Sequence, residues 1–190
     1  GLDYLATALV LGGLAFLLAV WLPALRTAAA AGDEWRDASG AFLRRMRALL
    51  LGACALGVVS GLAGILLQGA TAGATSAWAA LSPGVVGDVL GTRFGHVWGA
   101  RVLAFVVLAA AVALALRDVR EPSAAGLQRV ALGADGLAAA GLLRGALALA
   151  ALPAAFVALA PALGGHASVQ SPVALLFPLD VAHVIAMSAW

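Results

Sequence analysis

Charge is what this chain has least of. Only 11% of its 190 residues are charged, whereas soluble domains carry about a quarter. That is too little to cover a water-facing surface. With 64% apolar residues and a mean hydropathy of +1.05, lipid must solvate most of the exterior, which excludes a soluble domain. Lysine is absent, and the eleven basic residues are arginines spread over several segments. A pI near 9.5 with no basic stripe therefore gives no nucleic-acid surface. The single cysteine, Cys54, excludes an intrachain disulfide and reads as a small buried helix residue. There is no Gly-x-Ser-x-Gly elbow, H-E-x-x-H helix, Walker loop or CxxC pair. The chain is therefore expected not to be an enzyme, and an ATP-driven pump lacks its nucleotide site.

Long apolar runs are what is present, and a span needs about 20 such residues. They predict an all-α polytopic transmembrane bundle, read as a single domain over 1–190, with spans at about 2–25, 46–68, 98–116, 147–163 and 180–190. In the second, Gly57-x-x-x-Gly61 forms a small-residue face suited to close helix approach. Pro153 and Pro161 are expected to kink or end the fourth. Residues 117–145 read less clearly: Glu121-Pro122 stops a helix, and the stretch holding Asp135 and Arg144 reads as a half-helix or an early extension of the fourth span. Asp3 precedes the first run where a signal peptide would carry basic residues, so that run reads as a helix that stays. Gly1 in place of an initiating Met points to a processed or excised segment. Leu179-Asp180 faintly echoes Leu2-Asp3, as though a second repeat were beginning.

Arginine counting sets the orientation. Arg26, Arg36, Arg44 and Arg45 lie between spans one and two, with Arg47 at the edge. Arg117, Arg120, Arg129 and Arg144 lie between three and four. The other two loops hold only Arg93, with Arg101 just inside the next helix. The positive-inside rule puts the arginine-rich loops in the cytoplasm. His96, His166 and His183 then all fall on the outer side, at an expected similar depth.

The donor side chains gather near the end of the chain. Asp180, His183 and Met187 are spaced by three and four, so a helix presents them on one face. Imidazole suits copper, zinc, iron and nickel, and thioether favours Cu(I). A carboxylate one turn before a histidine can fix its tautomer. Ionisable groups within a span mark functional sites by default. Each residue also has a plain reading: Asp180 as a helix N-cap after Pro178, His183 reaching interfacial water, Met187 as core filling, Trp190 as an interface anchor. His166 follows Gly164-Gly165 in a turn that reads as solvated or as presenting a ligand. His96 reads as a third ligand or a surface histidine. Arg93 and Arg101 read as binding lipid headgroups or pairing with Asp88.

Together "GHAS…LDVAHVIAMSAW" and "GTRFGHVWGAR" resemble the CopD copper-resistance family of bacterial inner-membrane proteins. That family shows a Gly-His-Ala loop before a D-x-x-H-x-x-x-x-x-x-W helix, matched by Gly165-His166-Ala167, Asp180, His183 and Trp190. A Thr-x-x-Gly…Arg element is matched by Thr92, Gly95 and Arg101. The Gly-Gly-Leu that follows the tryptophan in the family is not reached, so the chain is expected to be the N-terminal part of a longer protein. The resemblance implies copper, Cu(I) or Cu(II), handled at the periplasmic face by His166 and His183, with Asp180 and Met187 as supporting or alternative ligands and His96 as a further candidate. It also implies uptake or resistance, a CopC-type periplasmic copper-binding partner, and in some members a cytochrome-oxidase copper-assembly module. Two other readings stay open: a haem-binding electron carrier using paired histidines, and a scaffold whose outer polar residues only cap and anchor helices.

Overall fold

The computed structural model describes residues 1–21, 23–24, 33–116, 136–165 and 169–189, with side chains except at 33–37 and 136–149. The expected all-α bundle is what it shows. Helix α1 spans Leu2–Phe16 and continues as a π-helical turn, Leu17–Trp21. Helix α2 is Asp33–Ala72, α3 Pro83–Leu90, α4 Arg93–Ala115, α5 Gly136–Gly164 and α6 Val173–Ala189. A 3-10 turn, Ala79–Leu81, precedes α3. Among the described residues, Leu2–Trp21, Ala38–Ala72 and Arg93–Ala115 are long and apolar enough to cross a membrane, and Ala150–Gly164 and Val173–Ala189 are shorter apolar helices.

The five long helices close a ring: α1 packs on α2, α2 on α4, α4 on α5, α5 on α6, and α6 back on α1. Its core joins Ala6, Val10 and Leu14 of α1, Leu50 and Cys54 of α2, Phe105, Leu108 and Val112 of α4, and Val157 of α5. No hydrophobic drive distinguishes a helix neighbour from a lipid tail, so close packing must hold such a ring. The α2–α4 seam shows how. A Cβ built at Gly57 would come within 2.6 Å of the Phe105 ring, one at Gly61 within 2.6 Å of Val102, and one at Gly64 within 2.9 Å of Trp98. The small-residue face read in the sequence is thus the antiparallel contact with α4, one turn longer than Gly57 and Gly61 alone.

Five boundaries differ from the sequence reading. Helix α4 begins at Arg93 behind its Thr92 cap, five residues before the expected start at 98. Helix α2 begins at Asp33 and runs for 40 residues, so Arg36, Arg44 and Arg45 ride a helix, not a loop. No proline interrupts 33–45, and a helix satisfies its own backbone hydrogen bonds on either side of the bilayer surface. Helix α2 runs on to Ala72, past the expected end at 68, and the connection after it holds the 3-10 turn and α3. Helix α5 starts at Gly136 and runs through both Pro153 and Pro161, so neither proline ends it. Helix α6 starts at Val173, just after Pro172, whose carbonyl accepts from the Leu175 and Leu176 N–H groups. Asp180 therefore lies inside α6 and is not its N-cap. Proline preset for a first turn explains the earlier start.

Candidate functional site

The sequence-derived donors divide into two places. His96 is exposed in the first turn of α4. Thr92 begins that turn: its hydroxyl accepts from the Gly95 N–H at 3.1 Å and donates to the Val89 carbonyl at 2.6 Å. A Cβ at Gly95 would strike that same carbonyl oxygen. The Thr-x-x-Gly spacing thus folds α3 tightly against the start of α4. Nearby, Arg93 Nη2 donates to the Leu163 carbonyl at 3.2 Å, a cation at the C-terminus of α5 where the helix dipole favours it. Gly164 lies against the Trp98 indole and Val97. His166 and Trp190 lie outside the described residues.

The second place is α6. Asp180 is half-buried, while His183 and Met187 are exposed on the helix. Val184 is the buried residue of α6, and Gly12 of α1 sits against the Ser188 carbonyl. Asp3 precedes Gly12 by nine residues and Asp180 precedes Ser188 by eight, so at about 1.5 Å per residue the two carboxylates stand at one height to within about 2 Å. His183 then lies roughly 13 Å deeper than His96 by helical rise. Their expected similar depth is not observed, because α6 begins well before Asp180. Among the described residues, no group of three or more His, Cys, Asp or Glu side chains is placed to hold a metal ion.

A third polar grouping was not assembled by the sequence reading. Arg101 is only 2% exposed, eight residues into α4, or about 12 Å below the start of that helix. It pairs with the Asp3 carboxylate. Its Nη2 donates to the Thr7 hydroxyl at 2.5 Å, and that hydroxyl donates to the Asp3 carbonyl at 3.0 Å. The Ser60 hydroxyl stands 3.5 Å from Asp3 Oδ1 and 3.3 Å from the Gly57 carbonyl. The guanidinium also lies 5.5 Å from the ring centroids of both Trp98 and Phe105, within cation–π range. Arg101 therefore neither reaches lipid headgroups nor pairs with Asp88, as the sequence had suggested. It ties α4 to α1, and Ser60 brings α2 to the same carboxylate. The available signal was Asp3, Thr7, Val10 and Leu14 at helical spacing, which puts an acid and a hydroxyl on the buried face of α1.

A family model described as "Copper resistance protein D-like, N-terminal domain" matches residues 1–142. The chain belongs to that family. It is thereby a membrane protein of the copper-resistance class, in keeping with its apolar helices. The matched stretch includes Asp3, Thr7, Ser60, Thr92, Gly95, His96 and Arg101, and ends before His166, Asp180, His183 and Met187. No curated protein and no solved structure matches the chain.

Proposed function

We propose that this copper-resistance protein binds copper at the periplasmic face and contributes to its uptake, without catalysing a reaction. The observation that carries the reading is the face of α6: Asp180, His183 and Met187 at three- and four-residue spacing, with His183 and Met187 open. Carboxylate and imidazole suit Cu(II), and thioether suits Cu(I), so the set fits a copper cargo in either oxidation state. In this reading His166 and His96 take copper at the rim, and the α6 set takes it deeper between helices. A CopC-type periplasmic protein would deliver the ion, and a cytochrome-oxidase assembly module is a further candidate partner. Arginine asymmetry supports the inner membrane with the histidines outward.

The test replaces His183 with Ala and, separately, His166 with Ala. Copper accumulation in cells and copper bound by the purified protein are expected to fall for both. Wild-type accumulation and binding in both variants would sink the proposal. A Soret band in the purified protein would replace copper with haem.

A further inference from the structure

The connection between α2 and α4 has three distinct faces. One rests on the bundle: Ala80 and Val89 are buried, and a Cβ at Gly69 would come within 2.9 Å of Val85, 3.2 Å of Val89 and 3.9 Å of Ala80. The 3-10 turn and α3 are therefore seated on α2 at the height of Gly69. A second face is apolar and bare. Trp78 is 83% exposed and Leu81 49% exposed, and residues three apart eclipse in a 3-10 turn, so the two point the same way. On α3, Pro83, Val86 and Leu90 follow helical spacing and continue an apolar stripe, with Leu90 40% exposed. Gly84 and Asp88 form a third face, also exposed, whose one polar side chain is the Asp88 carboxylate.

Height decides what covers the bare face. From Arg47 to Gly69 on α2 is about 33 Å at the helical rise, and the hydrocarbon core of a bilayer is about 30 Å thick. Arg44, Arg45 and Arg47 mark one boundary, so α3 lies at the other. Exposed Leu62 and Leu67 on α2 carry a lipid-facing surface up to it. Tryptophan at such a boundary has its ring in the acyl region and its N–H among headgroups, and a helix with one apolar and one polar face lies in the interface plane.

We infer that Trp78–Leu90 is a lipid-binding surface, seated at the headgroup–acyl boundary of the leaflet away from the arginines. Trp78, Leu81 and Leu90 enter the lipid, and Asp88 faces water. Because α3 leads through the Thr92 cap into the turn bearing His96, this seat sets the height of that histidine against the bilayer surface. The inference stands without any role for copper.

The experiment places nitroxide labels singly at 78, 81, 84, 88 and 90 of the full chain in a Cys54→Ala background. The protein is reconstituted in phosphatidylethanolamine–phosphatidylglycerol vesicles. Labels at 78, 81 and 90 are expected to be several-fold more accessible to oxygen than to a water-soluble nickel chelate, with the opposite order at 84 and 88. Labels at 81 and 90 as open to nickel as 88 would show a face bare in water. Shielding from both reagents would show a protein cover. Either result overturns the inference. A second measurement leaves Cys54 in place: the tryptophan fluorescence lost in Trp78→Phe should be the component quenched by brominated lipid, and an unquenched component also overturns it.

Discussion

Asp3 and Asp180 stand at one height on neighbouring helices, and their surroundings differ in every respect that sets a role. Asp3 meets a guanidinium, and two hydroxyls lie beside it on α1 and α2. Its partner Arg101 is enclosed by two aromatic rings. Asp180 has no ion pair among the described residues, and its helix neighbours His183 and Met187 are open. In a low-dielectric medium an unpaired charge is costly, and the first grouping pairs its two charges with each other, leaving Arg101 Nε without a hydrogen-bond partner among the described residues. In the second, His183 and Met187 stay exposed beside a half-buried carboxylate. The comparison separates a polar group that holds the fold from one available to chemistry, although both consist of a carboxylate and a nitrogen base inside apolar sequence.

The largest effect should come from breaking the complete grouping. Arg101→Met leaves the Asp3 carboxylate enclosed without its cation, and should lower stability by about 3–5 kcal/mol. Thermal unfolding in nanodiscs measures it. Removing both charges, in Asp3→Leu/Arg101→Met, should recover much of the loss, because well-packed apolar residues often replace a buried pair at little net cost. If the single variant melts with the wild type, the contrast between the two carboxylates fails.

Next comes the seam that brings Arg101 to Asp3. Gly61→Ile forces a branched side chain against Val102, where a Cβ alone would already come within 2.6 Å. Overpacking of this kind costs about 1–3 kcal/mol. The same substitution at Gly52, where a Cβ would meet nothing within 4 Å, should be far milder. Equal losses at both sites would show that α2 and α4 do not interlock as described.

How much of this was legible in the sequence follows from what each signal depends on. Span positions rest on local composition, so the five apolar segments and the glycine face of α2 could be read directly. The start of α6 could not, since Pro178 imitates a helix boundary while Pro172 supplies the real one. The ion pair was hidden for a different reason. Asp3 and Arg101 are 98 positions apart, and one sequence does not say which buried cation meets which buried acid. For the candidate copper site, the spacing of Asp180, His183 and Met187 was legible because it is local to one helix. The height of His96 relative to His183 was not, since it depends on how three helices stack.

A smaller loss should follow from the cap at the start of α4. Thr92→Ala removes the acceptor of the Gly95 N–H and the donor to Val89, and should cost about 1 kcal/mol. Thr92→Ser keeps both hydrogen bonds and should stay near the wild type. Because the cap carries the turn bearing His96, a nitroxide at position 96 should gain mobility in Thr92→Ala but not in Thr92→Ser. Equal spectra for the two would detach His96 from the cap.

The smallest effect on stability is expected where the proposed effect on function is greatest. His183 and Met187 are exposed, the latter at 39%, whereas Val184 is the buried residue of α6. His183→Ala and Met187→Leu should therefore change stability by no more than about 0.5 kcal/mol, yet reduce copper bound by the purified protein. The oxidation state sharpens the test: losing the thioether should weaken Cu(I) more than Cu(II), and losing the imidazole should weaken both. If His183→Ala instead destabilised the protein as much as Arg101→Met does, His183 would belong with Asp3 among the groups that hold the bundle. The donor face of α6 would then be packing surface and not a place where copper binds.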